Sequence, residues 1–266
     1  MTNNLIEAEV VEHSINDAGV ELISVQCRYH RYILAEVNTH RMFSRSSASS
    51  RAIPVERMIS EYAVMSPVEW GGNKAGMQAG DELEDDDLTK AKEIWEEARQ
   101  GAIENAKALM EVGLHKQVAN RLLEPFMRVS TIITATEWDN FFNLRDHPDA
   151  QPEIRDLARA IKKAISESAP VCRKWHTPYL REDERDEDTL HEGIIVSAAR
   201  CARVSYNNHD NSAPDWNKDL ALARKLVSSR HMSPFEHVAT KSNTNSVFFK
   251  NFRGWNQLRG VIEKDL

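Results

Sequence analysis

The sequence predicts an α+β fold, a sheet covered by long helices, on two observations. Residues Leu5 to Glu12 and Val20 to Cys27 alternate apolar and polar side chains as strands do, and Asn16-Asp17-Ala18-Gly19 between them carries the turn residues of a hairpin. Two later segments repeat apolar residues at helical spacing: Ala91, Ile94, Trp95, Ala98, Ala102, Ile103, Ala106, Leu109 and Met110 in one, and Ile154, Leu157, Ala158, Ile161 and Ile165 in the other. At 266 residues and 41% apolar content the chain can bury a substantial core, and we read 1–266 as a single domain.

Composition narrows the function classes. No run approaches the roughly 18 consecutive apolar residues of a membrane helix, and Met1-Thr2-Asn3-Asn4 does not begin a signal peptide, so a cytoplasmic location without membrane contact is expected. A net charge of -7 argues against general nucleic-acid affinity while allowing a local basic pocket. Cys27, Cys172 and Cys201 are far apart, odd in number and in no Cys-x-x-Cys pair. Neither disulfides nor a metal site are expected, and each cysteine reads as a small buried hydrophobe.

After the hairpin, the spacing of Tyr32, Ile33, Leu34 and Val37 predicts a helix over Tyr29 to Met42. It delivers Thr39 to Arg51, which packs three arginines, one histidine and five serines into thirteen positions. Guanidinium forks and short hydroxyl donors suit a phosphate ester, although local composition alone leaves a solvated basic loop open. Ala52-Ile53-Pro54 then ends the loop and opens a short helix through Met58. Residues 65–87, with Gly71-Gly72-Asn73, Gly76, Gly80 and an acidic run, read as a mobile surface loop, either a lid or a solvated linker. Asp87 is expected to cap the long helix, whose stripe reads as core and which Gly113 ends. Pro152 sits at the first position of the next helix, Arg181 to Asp188 reads as an exposed turn, and Leu220, Ala223, Leu226 and Val227 mark a further helix.

Arg121 and Arg145 stand among apolar residues (Val118, Leu122; Phe141, Phe142, Leu144), where a cation needs an anionic partner. Internal pairing with Glu124 or Asp149 is the alternative to a ligand.

Three stretches resemble the flavin-dependent thymidylate synthases. The family's Arg-His-Arg triplet and Ser-x-Asn-Glu-x-Ser-x-Arg continuation is similar to His40, Arg41, Ser44, Ser49 and Arg51, with Thr39, Ser46 and Ser47 in place of arginine, asparagine and glutamate. Its second signature resembles Val118-Ala119-Asn120-Arg121-Leu122-Leu123-Glu124-Pro125, the run Thr134 to Arg145, and Ala150-Gln151-Pro152-Glu153-Ile154-Arg155. Its N-terminal segments resemble Ala198 to Tyr206 and His231-Met232-Ser233-Pro234-Phe235-Glu236-His237, which here come last. A permuted order follows, with residues 190–266 a displaced flavin-binding segment.

The resemblance implies a homotetramer with sites at subunit interfaces, binding FAD and dUMP. It implies transfer of a methylene group from methylenetetrahydrofolate to C5 of dUMP, with FAD reduced by NADPH and dTMP as product. On it, Ser233, Glu236, His231, His40, Arg41, Thr134, Thr136 and Asn140 stand as flavin contacts, with Thr39 and Ser47 at the departing positions. Glu36, Ser49, Arg51 and Arg121 stand in the nucleotide shell, with Arg51 and Arg121 on the phosphate, and Arg145 as the catalytic residue that activates the uracil. The departures leave two other readings open: a flavin- and folate-dependent methylase or hydroxymethylase acting on dUMP or dCMP, and a non-catalytic nucleotide- or RNA-binding protein.

Overall fold

The computed structural model describes residues 6–51, 53–208 and 212–264; Met1 to Leu5 and Ala52, named above, lie outside them. Strands β1 (Glu7–Ile15) and β2 (Glu21–His30) form the expected antiparallel hairpin, with Asn16 Oδ1 accepting from the Ala18 and Val20 amides to close the turn. They join β3 (Ser44–Ser47), β4 (Arg128–Ala135) and β5 (Val171–Cys172) in one sheet ordered β3-β4-β2-β1-β5. The helix expected from Tyr29 to Met42 does not form. Strand β2 runs on to His30 because Cys27 and Tyr29 continue its buried alternation, a 3-10 turn follows, and α1 covers only Leu34–Val37. The serine-rich stretch is likewise no free loop, since Ser44 to Ser47 pair with Thr134 to Thr131 as the edge strand.

A register shift between Val10 and Glu12 inserts one extra residue into β1. Ala8 and Val10 therefore pair with Cys27 and Val25 on one face, while Glu12 and Ser14 pair with Ser24 and Leu22 on the other. The first face packs on α6 (Pro152–Ser166), where Ile154, Leu157, Ala158 and Ile161 are fully buried as the periodicity required, and on α5 (Asp139–Arg145) through Phe141. The second face meets Tyr179 and α7 (Leu190–Arg203) through Ile132, Cys201 and Val204. Helix α8 (Trp216–Ser228) packs on α7 with Leu220, Ala223 and Leu226 buried.

Between β3 and β4, short α2 (Val55–Arg57) leads into a π-helical turn and then into the segment 63–84, which is more tightly tied than its composition suggested. Met65 is fully buried, Trp70 meets Trp95 edge-on, and the Leu83 amide donates to the Trp70 carbonyl. Long α3 (Asp85–Glu111) starts two residues before Asp87, with Glu84 at its cap, so Asp87 lies in the first turn rather than capping it. Gly113, at φ +85°, ends it as expected. Its stripe is core only in the second half: Ile103 and Ala106 pack with Met58 and Leu123, while Ile94 is 57% exposed. One turn later α4 (Lys116–Ala119) runs into a 3-10 turn that precedes β4.

The C-terminal segment forms β6 (Trp175–His176), β7 (Ala239–Lys241), β8 (Phe248–Phe249), β9 (Phe252–Arg253), β10 (Trp255–Gln257) and α9 (Leu258–Ile262), with β10-β7-β6 as a second small sheet. Gly254, at φ +70°, lets this segment press on the first hairpin: a Cβ there would lie 2.9 Å from Asn16 Nδ2, which donates to the Gly254 carbonyl. The turn at Arg181 to Asp188 is only partly solvated, because Arg185 turns inward onto buried Glu12 and Glu184 onto Arg200. Among the described residues no helix is long and apolar enough to cross a membrane.

Cys27 and Cys201 are fully buried, and burial pushes both thiols far above their ordinary range. Cys172 departs from expectation: it lies exposed on edge strand β5, its thiol 3.7 Å from Asp17. A thiol-specific disulfide reagent is therefore expected to modify Cys172 alone in the native protein and all three cysteines after denaturation. Rapid native modification of two or more would contradict this packing.

Candidate active site

The turn after α1 is closed by its own chemistry. Thr39 Oγ1 donates to the Glu36 carbonyl at 2.6 Å, and the amides of His40 and Phe43 donate to Val37 and His40 carbonyls. Phe43 is the anchor, buried against Trp138 and Phe141. His40 meets Phe141 edge-on at 4.9 Å between ring centres and accepts at Nε2 from Arg145 Nε at 2.9 Å. Burial, then Arg145 and Arg45, push the His40 pKa down to about 4, so the ring is neutral at pH 7 and carries its proton on Nδ1. Arg145 also reaches Thr39 Oγ1 at 3.5 Å. The structure thus unites Thr39, His40 and Arg145 from two separate stretches of sequence.

On the other side of Phe43 lies a cavity of about 250 Å³. Arg41, Arg45, Lys250 and Arg259 line it, with Glu236. Arg45 donates to the Val37 and His40 carbonyls, which holds its head in place. Burial lowers its pKa and the neighbouring Arg41 charge lowers it further, the mark of guanidiniums crowded without enough counter-charge. Arg259 is spread between Glu236 at 2.5 Å and Glu263 at 2.7 Å, and Lys250 also bonds Glu263. Gln257 Nε2 donates to Ser44 Oγ and Asn251 Oδ1, and Asn251 Nδ2 donates to the Met42 carbonyl, tying this rim to β3. The result is a polar concavity in which cations outnumber acids, chemistry that favours a phosphate or pyrophosphate.

Other expected site residues fall at varying depth. Ser49 and Arg51 lie exposed in the loop after β3, next to the turn bearing Arg121, because Asn120 Nδ2 donates to the Ser50 and Ile53 carbonyls. Arg121 is exposed and paired with Glu124 at 2.5 Å, and its neighbours Val118 and Leu122 are exposed as well, so it is not the buried cation that its apolar surroundings suggested. Ser47 meets Thr131 across the strand pair. Thr136 accepts from the Arg253 amide, Asn140 and His231 are exposed, and Ser233 opens the 3-10 turn Ser233–Glu236. Thr134 is fully buried, with its hydroxyl shared between Ser24 and His237, which places it behind the site rather than at its surface. Glu36 Oε2 is buried without a hydrogen-bond partner.

Arg45 was counted in the arginine- and serine-rich stretch but given no role of its own, and Lys250, Gln257 and Arg259 were not singled out from the sequence. The last two sit in Arg253-Gly254-Trp255-Asn256-Gln257-Leu258-Arg259, where a basic and amide-rich run around a glycine was the available signal. A larger cavity, about 500 Å³ between β1 and α6, mixes Glu7, Asp156 and Glu167 with Arg159 and Lys163 and holds none of these residues.

Residues 18–171 match the profile of a protein family described as thymidylate synthase complementing protein. Comparison with curated protein sequences gives no match. Among solved structures, the crystal structure of a UMP/dUMP methylase, PolB from Streptomyces cacaoi, bound with 5-Br UMP, is similar at 15% identity and a TM-score of 0.48, over 61% of this chain and 89% of that one.

Proposed function

This chain belongs to the thymidylate synthase complementing protein family, and from that premise we propose that it methylates C5 of dUMP to dTMP, with methylenetetrahydrofolate as carbon donor, NADPH as reductant and FAD as cofactor. The observation that carries this reading is the convergence, inside the matched span, of His40 and Arg145 beside the Arg41 and Arg45 cavity. The donor set fits an anionic dinucleotide: Arg41, Arg45, Lys250 and Arg259 would hold the diphosphate of FAD, with Glu236 on the same wall and His231 and Ser233 just before it in the sequence. When bound, FAD supplies the two-electron chemistry that turns a methylene unit into a methyl group. A cavity of about 250 Å³ accommodates only part of such a molecule, since ligand sites usually span roughly 300–1,000 Å³. The remainder of the site then belongs between protomers of a homotetramer, a reading supported by the exposed apolar side chains of Ile94, Val118 and Leu122.

On the substrate side, Arg51 and Arg121 take the phosphate, Arg121 exchanging its Glu124 partner for it, and Glu36 and Ser49 lie along the nucleoside. The partnerless Glu36 oxygen suits an N–H donor of the pyrimidine edge. Arg145, pinned by neutral acceptors, is positioned to stabilise negative charge on the ring, which makes C5 more nucleophilic. Residues 190–266 complete the site from the far end of the chain, supported by Glu236 and Arg259 on the cavity wall.

Purified protein incubated with FAD and desalted is expected to keep the flavin absorbance bands. Supplied with dUMP, methylenetetrahydrofolate and NADPH, it is expected to yield a product heavier by one CH₂. A colourless protein that leaves the nucleotide mass unchanged would remove the proposal, and a hydroxymethyl product, or turnover of dCMP alone, would redirect it.

A further inference from the structure

Six hydrogen bonds cross the second face of the central sheet without a break: Ser14 Oγ to Glu12 Oε1 (3.1 Å), His176 Nδ1 to Ser14 Oγ (2.9 Å), Ser24 Oγ to His176 Nε2 (2.8 Å), Thr134 Oγ1 to Ser24 Oγ (2.5 Å), His237 Nδ1 to Thr134 Oγ1 (2.8 Å) and Ser46 Oγ to His237 Nε2 (3.0 Å). Ser14, Ser24, Thr134, His176 and His237 have no exposed surface. The bulge in β1 creates the inner end, because without it Glu12 and Ser14 would point at α6. The outer end lies beside the candidate site: Ser46 shares its face of β3 with Ser44, whose hydroxyl accepts from Gln257 on the cavity wall, and His237 directly follows Glu236 of that wall.

The proton order of this chain follows from its inner end. Glu12 meets Arg185 at 2.5 Å and Arg173 at 3.0 Å. Burial raises its pKa while these guanidiniums oppose the rise, and two cations in contact hold the resting carboxyl ionised. An ionised carboxylate only accepts, so Ser14 must donate to it and then accept from His176 Nδ1–H. The bare Nε2 of neutral His176 takes the Ser24 proton, Ser24 accepts from Thr134, Thr134 from His237 Nδ1–H, and the bare Nε2 of His237 takes the Ser46 proton. Every donor points toward Glu12, and Ser46, its one hydrogen committed, faces outward as an acceptor.

We infer that this chain is a proton relay from Ser46, beside the candidate site, to Glu12, and that Glu12 fixes His176 and His237 as Nδ1–H tautomers. A ligand group that loses a proton to the Ser46 oxygen releases the Ser46 hydrogen to His237 Nε2. The Nδ1 hydrogen of His237 passes to Thr134, the Thr134 hydrogen to Ser24, the Ser24 hydrogen to His176 Nε2, the Nδ1 hydrogen of His176 to Ser14, and the Ser14 hydrogen to Glu12. Each O–H or N–H bond formed replaces one broken and no electrons are exchanged. The net change is one proton moved from ligand to Glu12, with both rings left as Nε2–H tautomers. The nature of the proton source rests on the function proposed above, where C5 must lose its hydrogen when carbon is attached; the proton order does not.

Long-range proton–nitrogen correlation spectra of the full-length protein labelled with ¹⁵N-histidine test this, with the two rings assigned from single His→Gln variants. Both His176 and His237 are expected to carry hydrogen on Nδ1 at neutral pH, and an Nε2–H tautomer at either ring would overturn the inference. In Ser24→Ala, Thr134 loses its acceptor and is free to donate to His237, so His237 is expected to switch to Nε2–H while His176, still tied through Ser14 to Glu12, does not. Retention of Nδ1–H at His237 would overturn the coupling. Should that variant not fold, the wild-type spectrum still decides. In turnover, Glu12→Gln is expected to lower kcat on the order of 10²-fold with KM for dUMP unchanged, and an unaffected kcat would overturn the relay. If the wild type turns over no pyrimidine nucleotide at all, the function proposed above fails, and the tautomers alone decide the relay.

Discussion

Replacing Arg200 by methionine is expected to destabilise the protein by about 3–5 kcal/mol. The guanidinium is 1% exposed and bonds in four directions: Nε to Asp219 at 3.0 Å, both terminal nitrogens to Glu184 at 2.6 and 2.7 Å, and one of them also to the Tyr179 carbonyl at 2.8 Å. Those partners belong to α8, the 3-10 turn Glu182–Glu184 and the segment leading into it, so one side chain of α7 joins three elements. Methionine matches much of the volume but leaves Asp219, also 1% exposed, with Arg203 as its remaining partner. Denaturant unfolding at neutral pH measures the loss, and a change below about 1 kcal/mol would show that Arg203 and water compensate.

Acid titration supplies an independent check. Burial raises the Glu184 pKa, but the bonds and charge of Arg200 together with the amide and charge of Arg181 outweigh it, and the carboxyl ends below its ordinary value of 4.5. A depressed folded-state pKa contributes stability that is present above the ordinary value and lost as pH falls through the lowered one. Stability of the wild type should therefore decline on acidification below about pH 4.5, and this part of the decline should be smaller in Arg200→Met.

The parts of the fold that sequence revealed are those governed by local period. The hairpin, α6 and α8 each carry an uninterrupted alternation or stripe, and a single buried face decides them. What sequence hid depends on contacts distant in the chain. Ser44 to Ser47 became a strand only because β4, more than eighty positions away, offers an open edge, and a serine run carries no apolar signal for that pairing. The bulge between Val10 and Glu12 reverses which residues face which side, and alternation on one strand gives no sign of it. The α3 stripe was read correctly as apolar, yet in its first half Trp95 is covered by Trp70 and Phe126 while Ile94 stays 57% exposed. The site shows the same division. Arg41, His40 and Arg145 were legible because they stand in motif context, whereas Gln257 and Arg259 reach the cavity only through the turn at Gly254 that folds the C-terminal segment onto the sheet.

Arg145→Ala is expected to lower kcat by about 10²–10³ at saturating nucleotide, equivalent to about 2.7–4 kcal/mol of transition-state stabilisation. The size follows from how the guanidinium is held. Its Nε is committed to neutral His40 and one terminal nitrogen approaches Thr39, so orientation comes from uncharged acceptors. Among the described residues no carboxylate pairs with it. The charge is thus positioned but uncompensated, which differs from Arg121, already neutralised by Glu124. A cation presented in this way gains most when negative charge develops on a pyrimidine ring, so its loss should appear in kcat more than in KM. Arg121→Ala should show the reverse, a rise in KM for dUMP corresponding to roughly 1.5–3 kcal/mol for a charge-assisted bond to phosphate. Lysine at position 145 should restore little, because an ammonium on a flexible stem cannot donate to His40 and face the ring edge together. Oxidation of NADPH in the presence of FAD should persist in Arg145→Ala, since it requires no activated pyrimidine. Full turnover by Arg145→Ala at saturating dUMP would reduce Arg145 to a binding or structural residue, and ring activation would then have to come from Arg41 or Arg45, the cations nearest to His40 in the chain.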